Sequence, residues 1–165
     1  MATKTESADL ILKLYDLRRE KKMRRARKWY TSSFNPKTAQ DVMEATMDPE
    51  TGAYFRMVTS YWDMACTMVN HGAIDAELFA ETNGEHFIVY AKLEPFVADM
   101  RVLWDRPQMY SALEKCIMGS PNGPERLRKT QELIARILSA RADQGKGKDK
   151  KKNKEKDGDK GRDDS

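Results

Sequence analysis

The chain has 165 residues, 39% hydrophobic and 34% charged, with a net charge of +4. That length supports one ordinary hydrophobic core without metals or cross-links, and the spacing of Cys66 and Cys116 fits neither a zinc finger nor a disulfide framework. No window of ~20 residues is free of charge, which excludes an ordinary spanning helix, and acids at Glu6 and Asp9 argue against a secretory signal, so the cytoplasm is the expected address.

In chain order, a first helix is predicted from Ser7 to about Tyr30, with Ser7 as its cap and Asp9 favouring its positive end. Ile11, Leu12, Tyr15, Met23, Ala26, Trp29 and Tyr30 project onto one stripe, and Leu10, Leu14 and Leu17 onto the other side. Its first half should therefore be buried all round, while its second half keeps only a narrow seam. Asn35-Pro36 breaks the chain and Thr38 starts a short helix to about Met47. Asp48 caps a long central helix over 49–70, with Pro49 at its first position. Phe55, Val58, Trp62, Ala65 and Val69 form its apolar row, while Arg56, Thr59, Ser60, Asp63, Thr67 and Asn70 collect on one wet edge.

Gly72 ends that helix by accepting a left-handed backbone. Asp75 caps the next helix, from Ala76 to about Thr82. Residues 85–104 read as one helix kinked before Pro95, since no second strand candidate exists to pair with Phe87-Ile88-Val89-Tyr90. Pro107 starts a helix to Met118, and Pro124 opens the last, with Leu127, Leu133, Ile134, Ile137 and Leu138 facing inward. From Gln144 onward no apolar residue occurs, so ordering that segment cannot be repaid by burial. The expected fold class is all-α: a compact bundle of about six helices with one long central helix over residues 1–143, then a disordered Lys-rich tail over 144–165.

Charge is distributed unevenly. Residues 18–28 carry eight basic groups and one acid, whereas residues 29–143 carry eleven basic and sixteen acidic groups. The candidate partner-binding residues are accordingly Arg18, Arg19, Lys21, Lys22, Arg24, Arg25, Arg27 and Lys28, with Trp29 and Tyr30 available for base stacking or a lipid interface. The plainer alternative lays these long side chains over the acidic body. Two histidines near several carboxylates, from His71 to His86, lack the spacing that sets metal ligands on one helical face, so no metal or cofactor is implied. His71 instead complements the negative end of the central helix. Arg56 and Asp63, together with His71 and His86, are the candidate pocket residues. No nucleophile arrangement or phosphate loop is present.

Leu14-Tyr15-Asp16-Leu17-Arg18-Arg19-Glu20, Asn70-His71-Gly72-Ala73-Ile74-Asp75 and Asn83-Gly84-Glu85-His86-Phe87 resemble a group of uncharacterised small helical bacterial proteins, a domain of unknown function, over residues 10–140. The resemblance implies a bacterial, mostly intracellular helical protein and brings no activity or ligand. The leading expectation is a non-enzymatic interaction module that presents its basic helix to an acidic protein or nucleic acid. One alternative places the first helix on an anionic membrane surface; another is an enzyme or small-ligand binder whose pocket unites Arg56 or Asp63 with His71 or His86.

Overall fold

The computed structural model describes residues 2–159, with side chains described through Gln144. Of the tail expected to be disordered, 144–165, the side chains beyond Gln144 lie outside the described residues. Among the described residues there are nine α-helices, one 3₁₀ turn and no strand. Residues Met1–Thr130 form one compact unit and Gln131–Ser165 a second.

The first helix is divided, contrary to a single span from Ser7 to Tyr30. Helix α1 covers Lys4–Arg19 and α2 covers Lys21–Ser32. Thr3, not Ser7, caps α1 through a reciprocal box with Glu6. Ser7 is buried instead, and its hydroxyl accepts the Asp75 N–H at 2.9 Å. At Glu20 the backbone leaves the helical region (φ −53°, ψ 140°), and the Glu20 carboxylate accepts the Met23 N–H at 2.9 Å to start α2. The break frees α2 to lay Met23, Ala26 and Tyr30 against the core. Helix α1 packs mainly on α2 and the later α5, and the Tyr61 hydroxyl of the central helix donates to its Leu14 carbonyl at 2.6 Å. The all-round burial expected of its start is therefore not found: Leu12 and Leu17 are exposed, and Leu14 is its buried leucine.

Helix α3 (Ala39–Met47) starts at Thr38 as its capping side chain requires. Asp48 accepts the N–H groups of Glu50 and Thr51, and the central helix α4 (Gly52–Asn70) begins one turn later than Pro49. Helix α4 is the hub, touching α2 and α3 as well as α5 (Ala76–Thr82), α6 (Glu85–Leu93) and α8 (Ser111–Gly119). Phe55, Val58, Trp62, Ala65 and Cys66 along it are buried. Gly72 takes φ 71° just beyond its end. The expected kink at Pro95 is a 3₁₀ turn over Glu94–Phe96 between α6 and α7 (Val97–Leu103). Helix α8 starts four residues after Pro107, where Tyr110 turns left-handed at φ 56°.

Helix α9 spans Gly123–Asp159. Of its residues expected to face inward, Leu127 is buried, Ile134 and Leu138 are half-buried, and Leu133 and Ile137 are exposed. The buried apolar residues all fall between Leu14 and Leu127, so the core described belongs to the first unit. Among the described residues, no helix is long and apolar enough to cross a membrane.

Candidate functional site

On a helix of 3.6 residues per turn, Met23, Ala26 and Tyr30 point one way and Lys21, Arg24, Arg25 and Lys28 the other. The structure keeps that division. Lys21, Lys22, Arg24, Arg25 and Lys28 are exposed, and among the described residues none of them takes part in an ion pair. Arg19 is exposed too, 4.0 Å from Asp16. The basic run is therefore not laid over the acidic body as a whole.

Two of its members are. Arg27 donates from Nε to both oxygens of Glu85, at 2.8 and 3.0 Å, and pairs with the same carboxylate through Nη2. The Glu85 hydrogen bond is the main reason the Arg27 guanidinium holds its proton above its usual range. Glu85 also accepts from the Trp62 indole at 3.3 Å. Arg18 lies with its guanidinium carbon 5.2 Å from the Tyr15 ring centre and 5.8 Å from that of Trp62. Tyr30 is wholly buried, its hydroxyl donating to the Val89 carbonyl at 2.9 Å. Trp29 is half-buried, 5.4 Å from the Phe34 ring. Tyr30 is thus withdrawn from the surface, whereas Trp29 keeps part of its surface exposed.

What fixes the C-terminal end of α2 is a residue that composition did not single out. Lys92 is only 6% exposed, and its ammonium donates to the carbonyls of Tyr30 (2.8 Å), Thr31 (3.1 Å) and Phe34 (2.7 Å) and to Asn35 Oδ1 (3.0 Å). These carbonyls end a helix whose dipole is negative there, and a cation answers both needs. A lysine inside the apolar run Phe87–Leu93 was the available signal.

The four pocket candidates do not meet. Arg56 and Asp63 line a cleft of about 820 Å³ with Thr59, Gln108 and Tyr110. Both are also structural ties: Arg56 donates to the Thr46 carbonyl at 3.1 Å, and Asp63 accepts the Leu113 N–H at 3.0 Å. Burial raises the Asp63 carboxyl, partly opposed by that N–H. The stripe read as a wet edge is divided: Arg56, Ser60 and Thr67 are exposed, whereas Thr59 is buried and Asp63 and Asn70 tie to α8, Asn70 donating to the Ala112 carbonyl at 2.8 Å. His71 is exposed, follows the last residue of α4, and lines neither cleft.

His86 lines a different cleft, also about 820 Å³, between the end of α4, α5 and α8, together with Phe79, Ala80, Cys116 and Arg126. It is 2% exposed, stacked among Trp62, Phe79 and Phe87. Burial, aided by the nearby Arg126 charge, pushes its pKa down to about 4. Its Nδ1 has no hydrogen-bond partner. Cys116 forms part of the wall, and a hydrogen bond from Cys66 lowers its thiol while raising that of Cys66. No group of three or more potential metal ligands occurs among the described residues. Nothing local in the sequence links Arg126 or Cys116 to His86, so the spacing of Cys116 bears only on metal and disulfide chemistry and Arg126 carries no signal.

A family model described as a domain of unknown function, DUF4760, matches residues 4–120. The chain belongs to this family. The DUF4760 region contains α1 to α8, and with them the cationic face, Lys92 and His86; Arg126 lies beyond it. No curated protein and no solved structure matches the chain.

Proposed function

We propose that this DUF4760 protein is a non-enzymatic interaction module whose α2 face docks an anionic macromolecule, a nucleic-acid backbone or an acidic protein surface. One observation carries this reading: Lys21, Lys22, Arg24, Arg25 and Lys28 stand exposed and, among the described residues, without ion pairs, on a helix whose other side is locked into the core. Cations crowded on one short helix repel each other, and a polyanion relieves that repulsion while releasing its own counterions. With Tyr30 buried and Trp29 half-buried, recognition rests on charge rather than on base stacking. Peripheral membrane binding loses Tyr30 as an anchor for the same reason and keeps only a half-buried Trp29.

Binding to duplex DNA of arbitrary sequence and to polyglutamate, measured by fluorescence anisotropy across a salt series, tests the reading and separates the two partner classes. Affinity should fall steeply with salt, with a log–log slope for DNA of roughly −3 to −4 if about four phosphates are neutralised. Replacing Lys21, Arg24, Arg25 and Lys28 together by Gln should abolish it. Retention indifferent to salt, or unchanged in that variant, would end the proposal. Arg27 is left out because its loss would unpair Glu85.

A further inference from the structure

One wall of the cleft between the end of α4, α5 and α8 is His86, whose buried Nδ1 is a polar atom that the fold does not use. Buried polar atoms are nearly always hydrogen-bonded, and each exception asks for an explanation. Here the unpartnered Nδ1 belongs to a side chain 98% buried that lines an open cleft. Close by, the Arg126 guanidinium carbon rests 4.2 Å from the Phe87 ring centre. Stacking on a ring restrains a guanidinium while leaving its N–H edge available. Arg126 forms no ion pair among the described residues. The rest of the wall is largely apolar, with Val69, Phe79, Ala80 and Pro121 prominent.

We propose that this cleft binds a small amphipathic carboxylate, its apolar body against Val69, Phe79, Ala80 and Pro121 and its carboxylate between Arg126 and His86. A mostly apolar wall with a few convergent polar groups is the usual form of a small-molecule site, and the cleft has the usual size. The charge of the ligand follows from the hook. A planar guanidinium fork matches a carboxylate in two parallel hydrogen bonds, and a neutral imidazole has one N–H to donate. Glu77 and Glu81 stand on the α5 wall, but both are exposed, and Glu77 lies 3.6 Å from Lys4. Solvent and salt screen them, so they bias the site less than the half-buried Arg126. The site is separate from the α2 face and does not depend on the polyanion reading.

Octanoate is a suitable probe, compared with octanol, which has the same body and no charge, and with acetate, which has the charge and no body. Titration of the full chain followed by NMR should show saturable octanoate binding that perturbs His86, with affinity about tenfold above octanol. Acetate should not saturate at the same concentrations. Arg126→Gln should bring octanoate down to the level of octanol, and Ala80→Leu should weaken both by occupying the apolar wall. Octanoate should also slow alkylation of Cys116, which lines the cleft. The α2 quadruple variant should bind octanoate as the parent does, so failure of one proposal is distinguishable from failure of the other. Absence of saturable octanoate binding at millimolar concentration, or binding unchanged in both cleft variants, would overturn the assignment.

Discussion

Lys92 shows how one side chain decides what a whole helix can present. Three ammonium protons serve four acceptors at the end of α2, three carbonyls and one side-chain amide, whose dipoles all help to compensate the charge. Lys92→Met keeps the stem and removes only the head; it should cost about 2–4 kcal/mol in urea unfolding, because it leaves buried carbonyls without a donor. A loss below about 0.5 kcal/mol would mean that water replaces the ammonium without penalty. His86 contributes with a pH signature. Its folded pKa of about 4 lies below the ordinary value of 6.5, so between these pH values the unfolded chain binds a proton that the folded chain refuses. Stability must therefore fall as pH drops through that window, by roughly 2 kcal/mol at pH 5 from this group alone. The charge facing it is Arg126, and the rings of Trp62, Phe79 and Phe87 supply the desolvation. His86→Leu should flatten the difference in urea midpoint between pH 7 and pH 5; an equally steep fall in the variant would place its origin in the carboxylates.

Helix boundaries here depend on backbone approach as much as on side-chain pattern. A Cβ on Gly123 would stand 1.9 Å from the Ile117 carbonyl oxygen, so α9 can begin against the end of α8 only with glycine there. Gly123→Ala should lose about 2–3 kcal/mol and displace Arg126, three residues on. Gly84→Ala meets nothing within 4 Å and should be near neutral, which separates the steric effect from that of any glycine replacement. Punctuation of this kind was legible in the sequence: Thr38, Gly72, Asp75 and Pro95 act where their chemistry predicts. The break at Glu20 was not. Glutamate is a good helix former, and the apolar stripe continues on both sides, so only the packing of α2 on α4 reveals the turn. The candidate site was legible to a similar degree. Eight cations could be counted, but the partner that takes Arg27 away, Glu85, lies 58 residues further along the chain. Likewise, His86 and Arg126 come to line one cleft through the tertiary fold, which periodicity within one helix cannot express.

For the molecule as a whole, charge separation matters more than net charge. Residues 29–143 carry sixteen acids against eleven bases, while the stretch 18–28 is strongly positive. A net +4 spread evenly would give weak, diffuse attraction to any polyanion; concentrated on α2, it gives a field with a direction. Neutralising Lys21, Arg24, Arg25 and Lys28 also takes the net charge to zero, so loss of binding in that variant is by itself ambiguous. Converting Lys148, Lys150, Lys151 and Lys152 to Gln makes the same change in net charge and leaves α2 intact. If the face is the binding element, the tail variant should keep DNA or polyglutamate affinity within about threefold of the parent, with a similar salt slope, while the α2 variant loses both. Equal losses in the two variants would show that only total charge counts, and the rigid anchoring of α2 by Met23, Ala26, Tyr30 and Lys92 would then serve the fold alone.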